Sequence, residues 1–136
     1  MKSDTKRRDL ALYRIQQAEE SLDEAELLYR SGKSPRSVVN RLYYAMFYSI
    51  LALLIFEPYS SSKHSGVLSY FNRFFIKEGI IPEDIGRAVN KAFDLRLRGD
   101  YKEQVSITYE QVEPYICHAR NCIDEVRNLL VKRGLI

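Results

Sequence analysis

From Leu42 to Phe56 the chain is apolar or aromatic at every position but Ser49, so no helical face in this stretch is polar enough to lie against water. At 15 residues the run falls short of the ~20 that a membrane span needs. Arg41 and Glu57 close it at either end. It therefore reads as a core helix that other elements must surround, or that a second subunit must partly cover. No membrane is expected among its partners.

The covering elements are legible on both sides. Upstream, Ala11, Ile15, Ala18, Leu22, Ala25 and Tyr29 alternate steps of four and three, the spacing of a helix lying nearly antiparallel along a neighbour. This first helix is expected from about Asp4 to Tyr29, with Gly32 as its stop. Ser34 and Pro35 supply an N-cap and a first helical position for the apolar helix, which runs to about Phe56. At the far end Tyr109, Val112, Ile116, Ala119, Ile123, Val126 and Leu130 form a matching stripe. Thr108 and Gln111 stand at capping-box spacing before it, and Pro114 is placed to bend its early turns.

Between these lie two shorter helices. Pro58 and the serines at 60–62 mark a loop whose serines are candidates for capping the next helix. That helix is expected from about His64 to Lys77, with Val67, Leu68, Phe71, Phe74 and Phe75 buried and Gly79 ending it. Pro82 opens another, which turns Ile85, Val89, Ala92 and Phe93 inward and reaches about Leu97 before Gly99 breaks it. The expected fold is all-α, an antiparallel up-and-down bundle of four to five helices in a single domain over residues 1–136.

Charge and cysteines narrow the function classes. With 21 Lys and Arg against 18 Asp and Glu, the net charge of +3 sets up no global field toward nucleic acid or lipid, so any anion site must be local. Cys117 and Cys122 stand about 140° apart around a helix axis and point to different faces. That suits a reducing cytoplasm better than a disulfide, and the polar start of the chain argues against a secretory signal. His118 and Cys122 lie one turn apart without further paired ligands, so neither a metal nor a cofactor is expected.

Three motifs carry a family resemblance. Asn40-Arg41-Leu42-Tyr43-Tyr44-Ala45-Met46-Phe47-Tyr48 looks like the second-helix pattern of prokaryotic HEPN proteins, an Arg followed by Tyr-Tyr-Ala and aromatics. Lys63-His64-Ser65-Gly66-Val67 is similar to the family's Lys/Thr-His-Lys-Gly-Val start of the third helix. Arg96-Leu97-Arg98-Gly99-Asp100-Tyr101 resembles its Arg-x-x-Ala-Asp-Tyr motif. The resemblance implies a helical bundle that dimerises, and a role beside small nucleotidyltransferases in toxin–antitoxin or defence systems, with nucleotides or RNA as ligands.

Some members of that family are metal-independent ribonucleases carrying an Arg followed, after four to six residues, by a His. Here the corresponding positions after Arg96 are Tyr101, Lys102 and Glu103, and after Arg98 they are Glu103, Gln104 and Val105. The missing histidine argues against catalysis. The remaining candidates are Arg96, Asp100 and His64, although a carboxylate with an ordinary pKa of about 4 is a weak base at neutral pH.

For Arg41, Arg96, Asp100 and Tyr101 two readings stand side by side. An arginine inside an aromatic helix needs a carboxylate, and Asp94 or Asp100 is available. Alternatively these groups line an anion pocket, with Arg96 and Lys63 on phosphate and Tyr44 or Tyr101 against a base. His64 opens a helix beside Lys63, where it either caps the helix or helps hold an anion. Tyr101 is a candidate for stacking or for modification by a partner nucleotidyltransferase. Three functions follow: a nucleotide- or RNA-associated component of a toxin–antitoxin pair, a ribonuclease toxin, or a non-catalytic protein-interaction module.

Overall fold

Two turns of the chain decide how its first half folds. At Gly32 the backbone takes φ +70°, a conformation glycine adopts without steric cost, and this ends α1 (Lys2–Arg30). Ser34 then caps α2 (Pro35–Leu54), its Oγ accepting from the Ser37 N–H at 3.2 Å, with Pro35 at the first helical position. So short a connection lays the two helices antiparallel, and Arg41 of α2 meets Glu24 of α1. The computed structural model describes residues 2–61, 63–101 and 106–136, the side chains of residues 2 and 99–101 excepted.

The α1 stripe is buried as its spacing predicts. Ala11, Ala18 and Ala25 are fully enclosed and Ile15 and Leu22 nearly so, and the alanines let α1 lie close against α2. α2 is the axis of the bundle, contacted by every other helix. Tyr43, Leu42, Met46 and Ile50 are wholly buried, each such large side chain contributing about 1.5–3 kcal/mol. By length and composition α2 could cross a membrane, yet 67% of its most apolar window is buried within the bundle. Its one polar interior residue is accounted for, because Ser49 donates to Met46 O at 2.7 Å and lies 3.4 Å from Cys122 Sγ. Burial pushes the Cys122 thiol up to about 12, whereas Cys117 is exposed, and neither forms a disulfide.

α3 (His64–Phe71) departs from expectation in two ways. Of the described serines before it, Ser61 does not cap the helix: Lys63 is the N-cap residue with no side-chain cap, and Ser61 Oγ accepts from the Lys63 N–H at 3.3 Å, while Ser62 lies outside the described residues. The helix then widens into a π-turn over Asn72–Ile76, with an i→i+5 bond from Lys77 N to Asn72 O, and ends at Gly79 (φ +73°), where Ile80 N closes back onto Phe75 O. In a wider turn the residue three positions on falls short of a full circle and the residue four on nearly completes it. Phe71 and Phe75 therefore share the buried face, while Phe74 is 40% exposed rather than in the core.

α4 (Glu83–Tyr101) does not break at Gly99. An interior glycine costs about 1 kcal/mol, too little to end a helix whose Ile85, Val89 and Ala92 are packed inward. Gly86 lets it approach the π-turn, for a Cβ there would lie 2.9 Å from Ile76. α5 (Tyr109–Lys132) opens with the predicted capping box and contains Pro114. Arg120 and Arg127 pair with Glu26 and Glu19 of α1, so α5 runs antiparallel to α1 and the architecture is an all-α up-and-down bundle. No strand occurs among the described residues.

Candidate functional site

Tyr44 stands where α2, α3 and α4 meet, and two guanidiniums lie over its ring. Arg41 Cζ is 5.3 Å from the ring centroid and Arg96 Cζ 5.2 Å. Arg96 also donates from Nη2 to the Tyr44 hydroxyl at 3.3 Å and lies 5.2 Å from the Tyr43 ring. These contacts follow from helical spacing: Arg41 and Tyr44 are one turn apart on α2, and α4 brings Arg96 across to them. Aromatic faces hold such cations without neutralising them.

Arg41 is oriented from its other side. Its Nη1 donates to Glu24 at 3.2 Å and its Nη2 to Asn40 Oδ1 at 3.2 Å. Arg41 thus has a carboxylate partner in Glu24, while Asp94, a candidate from the sequence, pairs with Arg98 one turn along α4; the Asp100 side chain lies outside the described residues. The Arg41 side chain keeps 30% of its surface exposed, so the pair is half-solvated and worth little to stability.

His64 belongs to the same cluster and does not cap α3. Its ring stacks on Phe47 at 4.1 Å and on Tyr43 at 5.8 Å, and meets Tyr44 edge-on at 5.8 Å. Nδ1 lies 2.9 Å from the Tyr43 hydroxyl. Burial raises the Tyr43 pKa above the ordinary tyrosine value, so the hydroxyl keeps its proton, and a buried O–H needs an acceptor. Donation to Nδ1 supplies one and leaves the imidazole proton on Nε2. Desolvation, and then the charge of Arg96, lower the His64 pKa below its usual value, so the ring is neutral at physiological pH.

Of the residues singled out in the sequence, Arg41, Tyr44, His64 and Arg96 converge here. Lys63 is exposed beside His64 at the entrance to α3 and joins the cluster only through that neighbour. The side chains of Asp100 and Tyr101 lie outside the described residues. Tyr43 and Phe47, which the apolar run of α2 places in the core, are both core and the support of His64. Glu24 also belongs to the site, though its pairing with Arg41 has no signal in local spacing.

The arrangement offers two cations and an imidazole N–H around a half-buried aromatic ring, a combination that suits a phosphate ester and a planar base. General-base catalysis is less well served, since the neutral His64 has its acceptor nitrogen occupied by Tyr43.

Comparison with known proteins agrees with the motifs. The HEPN domain model matches residues 11–129. A UPF0332 protein of Thermotoga maritima is 42% identical over 118 residues, spanning 87% of this chain and 89% of its own length. Two proteins of Methanocaldococcus jannaschii named as candidate toxins are also similar. MJ0605 is 37% identical over 116 residues, 85% of each chain, and MJ0142 is 32% identical over 123 residues, 90% of this chain and 82% of its own. With the family model matching residues 11–129 and these relatives aligned over most of their length, the chain belongs to the HEPN domain family.

Proposed function

We propose that this chain is a toxin-type HEPN protein of the cytoplasm that binds a phosphate-bearing ligand, a nucleotide or RNA, without cleaving it. In this reading it acts as a homodimer paired with a small nucleotidyltransferase in a toxin–antitoxin system. The observation that carries the ligand is the meeting of Arg41, Arg96 and His64 around Tyr44. The toxin role draws on the names of the two Methanocaldococcus jannaschii relatives. Self-association draws on α2, whose open stripe continues past Tyr44 through the half-buried Tyr48, Leu51 and Ile55, apolar surface that a second subunit would cover.

Titration calorimetry with AMP and with a short oligoribonucleotide tests the ligand. Binding that Arg96→Ala weakens about tenfold or more, the size of a lost charge-assisted contact, supports the reading. Absence of binding by the folded wild-type protein would refute it.

One observation favours a ribonuclease as the second reading: Arg96 and His64 face the same pair of tyrosine rings. Cutting of RNA in the presence of chelator, abolished by Arg96→Ala, would establish it in place of the first. Against it stands the commitment of His64 Nδ1 to Tyr43, which leaves no nitrogen lone pair to accept a proton from a ribose hydroxyl.

A further inference from the structure

The open stripe of α2 changes character at Tyr44: toward Ile55 it is apolar, and toward the helix start it carries Ser37, Asn40 and Arg41. That polar end is hollow. A cavity of about 320 Å³ lies there, lined by Leu28 of α1 with Arg36, Ser37, Asn40 and Arg41 of α2. Arg41 is common to this cavity and to the cluster at Tyr44. Two guanidiniums and the Asn40 amide line one hollow, and although Asn40 Oδ1 accepts from Arg41 and Ser37 Oγ is paired with Ser34 Oγ, guanidinium and amide N–H groups match phosphate oxygens.

We infer that this cavity is a second phosphate subsite, taking the next phosphate of a ligand whose first phosphate sits between Arg41 and Arg96. The inference rests on the ligand reading given above. Arg36 and Arg41 are five residues apart, a rise of about 7.5 Å with about 140° of rotation about the helix axis, and their long side chains still line the same hollow, as a ligand with more than one phosphate requires. A lone monophosphate spans only one of the two positions. Glu24, 3.2 Å from Arg41, competes with the ligand for that guanidinium, which makes the subsite weak until a tethered phosphate is delivered to it.

The test compares AMP, ATP and a 5′-phosphorylated adenylyl dinucleotide by calorimetry on the wild-type protein, Arg36→Ala and Arg96→Ala. Arg36 is exposed in the first turn of α2, and circular dichroism checks that each variant is folded. The expected result is that Arg36→Ala leaves AMP affinity within about twofold and weakens ATP, the dinucleotide or both by about tenfold, one charge-assisted contact. Which of the two loses affinity distinguishes a polyphosphate tail from a nucleic-acid backbone. A second variant, Glu24→Gln, is expected to tighten the two-phosphate ligands by removing the competitor.

If Arg36→Ala changes none of the three while Arg96→Ala weakens them all, the second subsite is wrong and the ligand reading stands. If Arg36→Ala weakens AMP equally, Arg36 belongs to the first phosphate position and the second subsite is again wrong. If the wild-type protein binds none of the three, both fail.

Discussion

The Tyr43 hydroxyl, buried in the middle of α2, lies 2.9 Å from Nδ1 of His64 at the start of α3. This one bond joins the core to the candidate site, because the ring it orients also packs on Phe47 and Tyr44. A core residue thereby decides which nitrogen of His64 carries the proton toward solvent.

Nitrogen NMR of the imidazole reads that decision directly. The wild-type protein is expected to hold His64 in the Nε2–H tautomer, and Tyr43→Phe to lose the preference together with about 1–2 kcal/mol of stability, the cost of an unpaired acceptor in the bundle. An Nδ1–H tautomer in the wild type would contradict the assignment.

The lowered pKa of His64 makes stability depend on pH in a definite sense. The unfolded chain titrates at the ordinary value of 6.5 and the folded chain below it, by desolvation first and by the charge of Arg96 second. Between the two values the unfolded state binds more protons, so stability rises with pH there. The contribution of neutral His64 is complete above 6.5 and is lost as pH falls through 6.5 toward the folded value. Denaturant unfolding across that window, for wild type and His64→Gln, should give the steeper dependence in the wild type. Equal slopes would mean that His64 titrates as it does in the unfolded chain.

Phe74 and Phe75 separate the helix the sequence suggests from the helix that forms. Phe75 is 1% exposed and Phe74 40%, so Phe75→Ala is expected to cost about 3–5 kcal/mol and Phe74→Ala under about 1 kcal/mol. Equal losses in thermal or denaturant unfolding would argue that the π-turn does not persist in solution.

That contrast marks where the sequence is legible. Stripes such as Ala11, Ile15, Ala18 and Leu22 are repeated for several turns, so one period dominates and the buried face follows from it. Ser34-Pro35 and the Thr108–Gln111 box are equally readable, because caps act on backbone groups within four residues. The π-turn at Asn72–Ile76 is not, since a single inserted residue leaves a run of phenylalanines that fits either period. Nor is the end of α4, where tertiary packing outweighs the weak preference of Gly99. At the site, motif residues Arg41, Tyr44, His64 and Arg96 did come together. Their partners Glu24 and Tyr43 depend on how helices distant in sequence are set side by side, which local spacing does not encode.

Gly66 shows how a motif position can be a packing requirement. A Cβ placed there would lie 2.5 Å from the hydroxyl oxygen of Tyr59, far inside van der Waals contact. That hydroxyl is buried, without a hydrogen-bond partner among the described residues, and its ring is held by Tyr70 at 4.8 Å. Tyr59 therefore cannot swing aside without breaking an aromatic contact, and Gly66→Ala is expected to destabilise by about 1–3 kcal/mol, the usual cost of overpacking. Removing the obstructing oxygen should relieve it: in a double-mutant cycle, Tyr59→Phe combined with Gly66→Ala should recover about 1 kcal/mol or more of that loss. Additive effects in denaturant unfolding would mean that the two residues do not meet, and that glycine is required at position 66 for some reason other than the phenol above it.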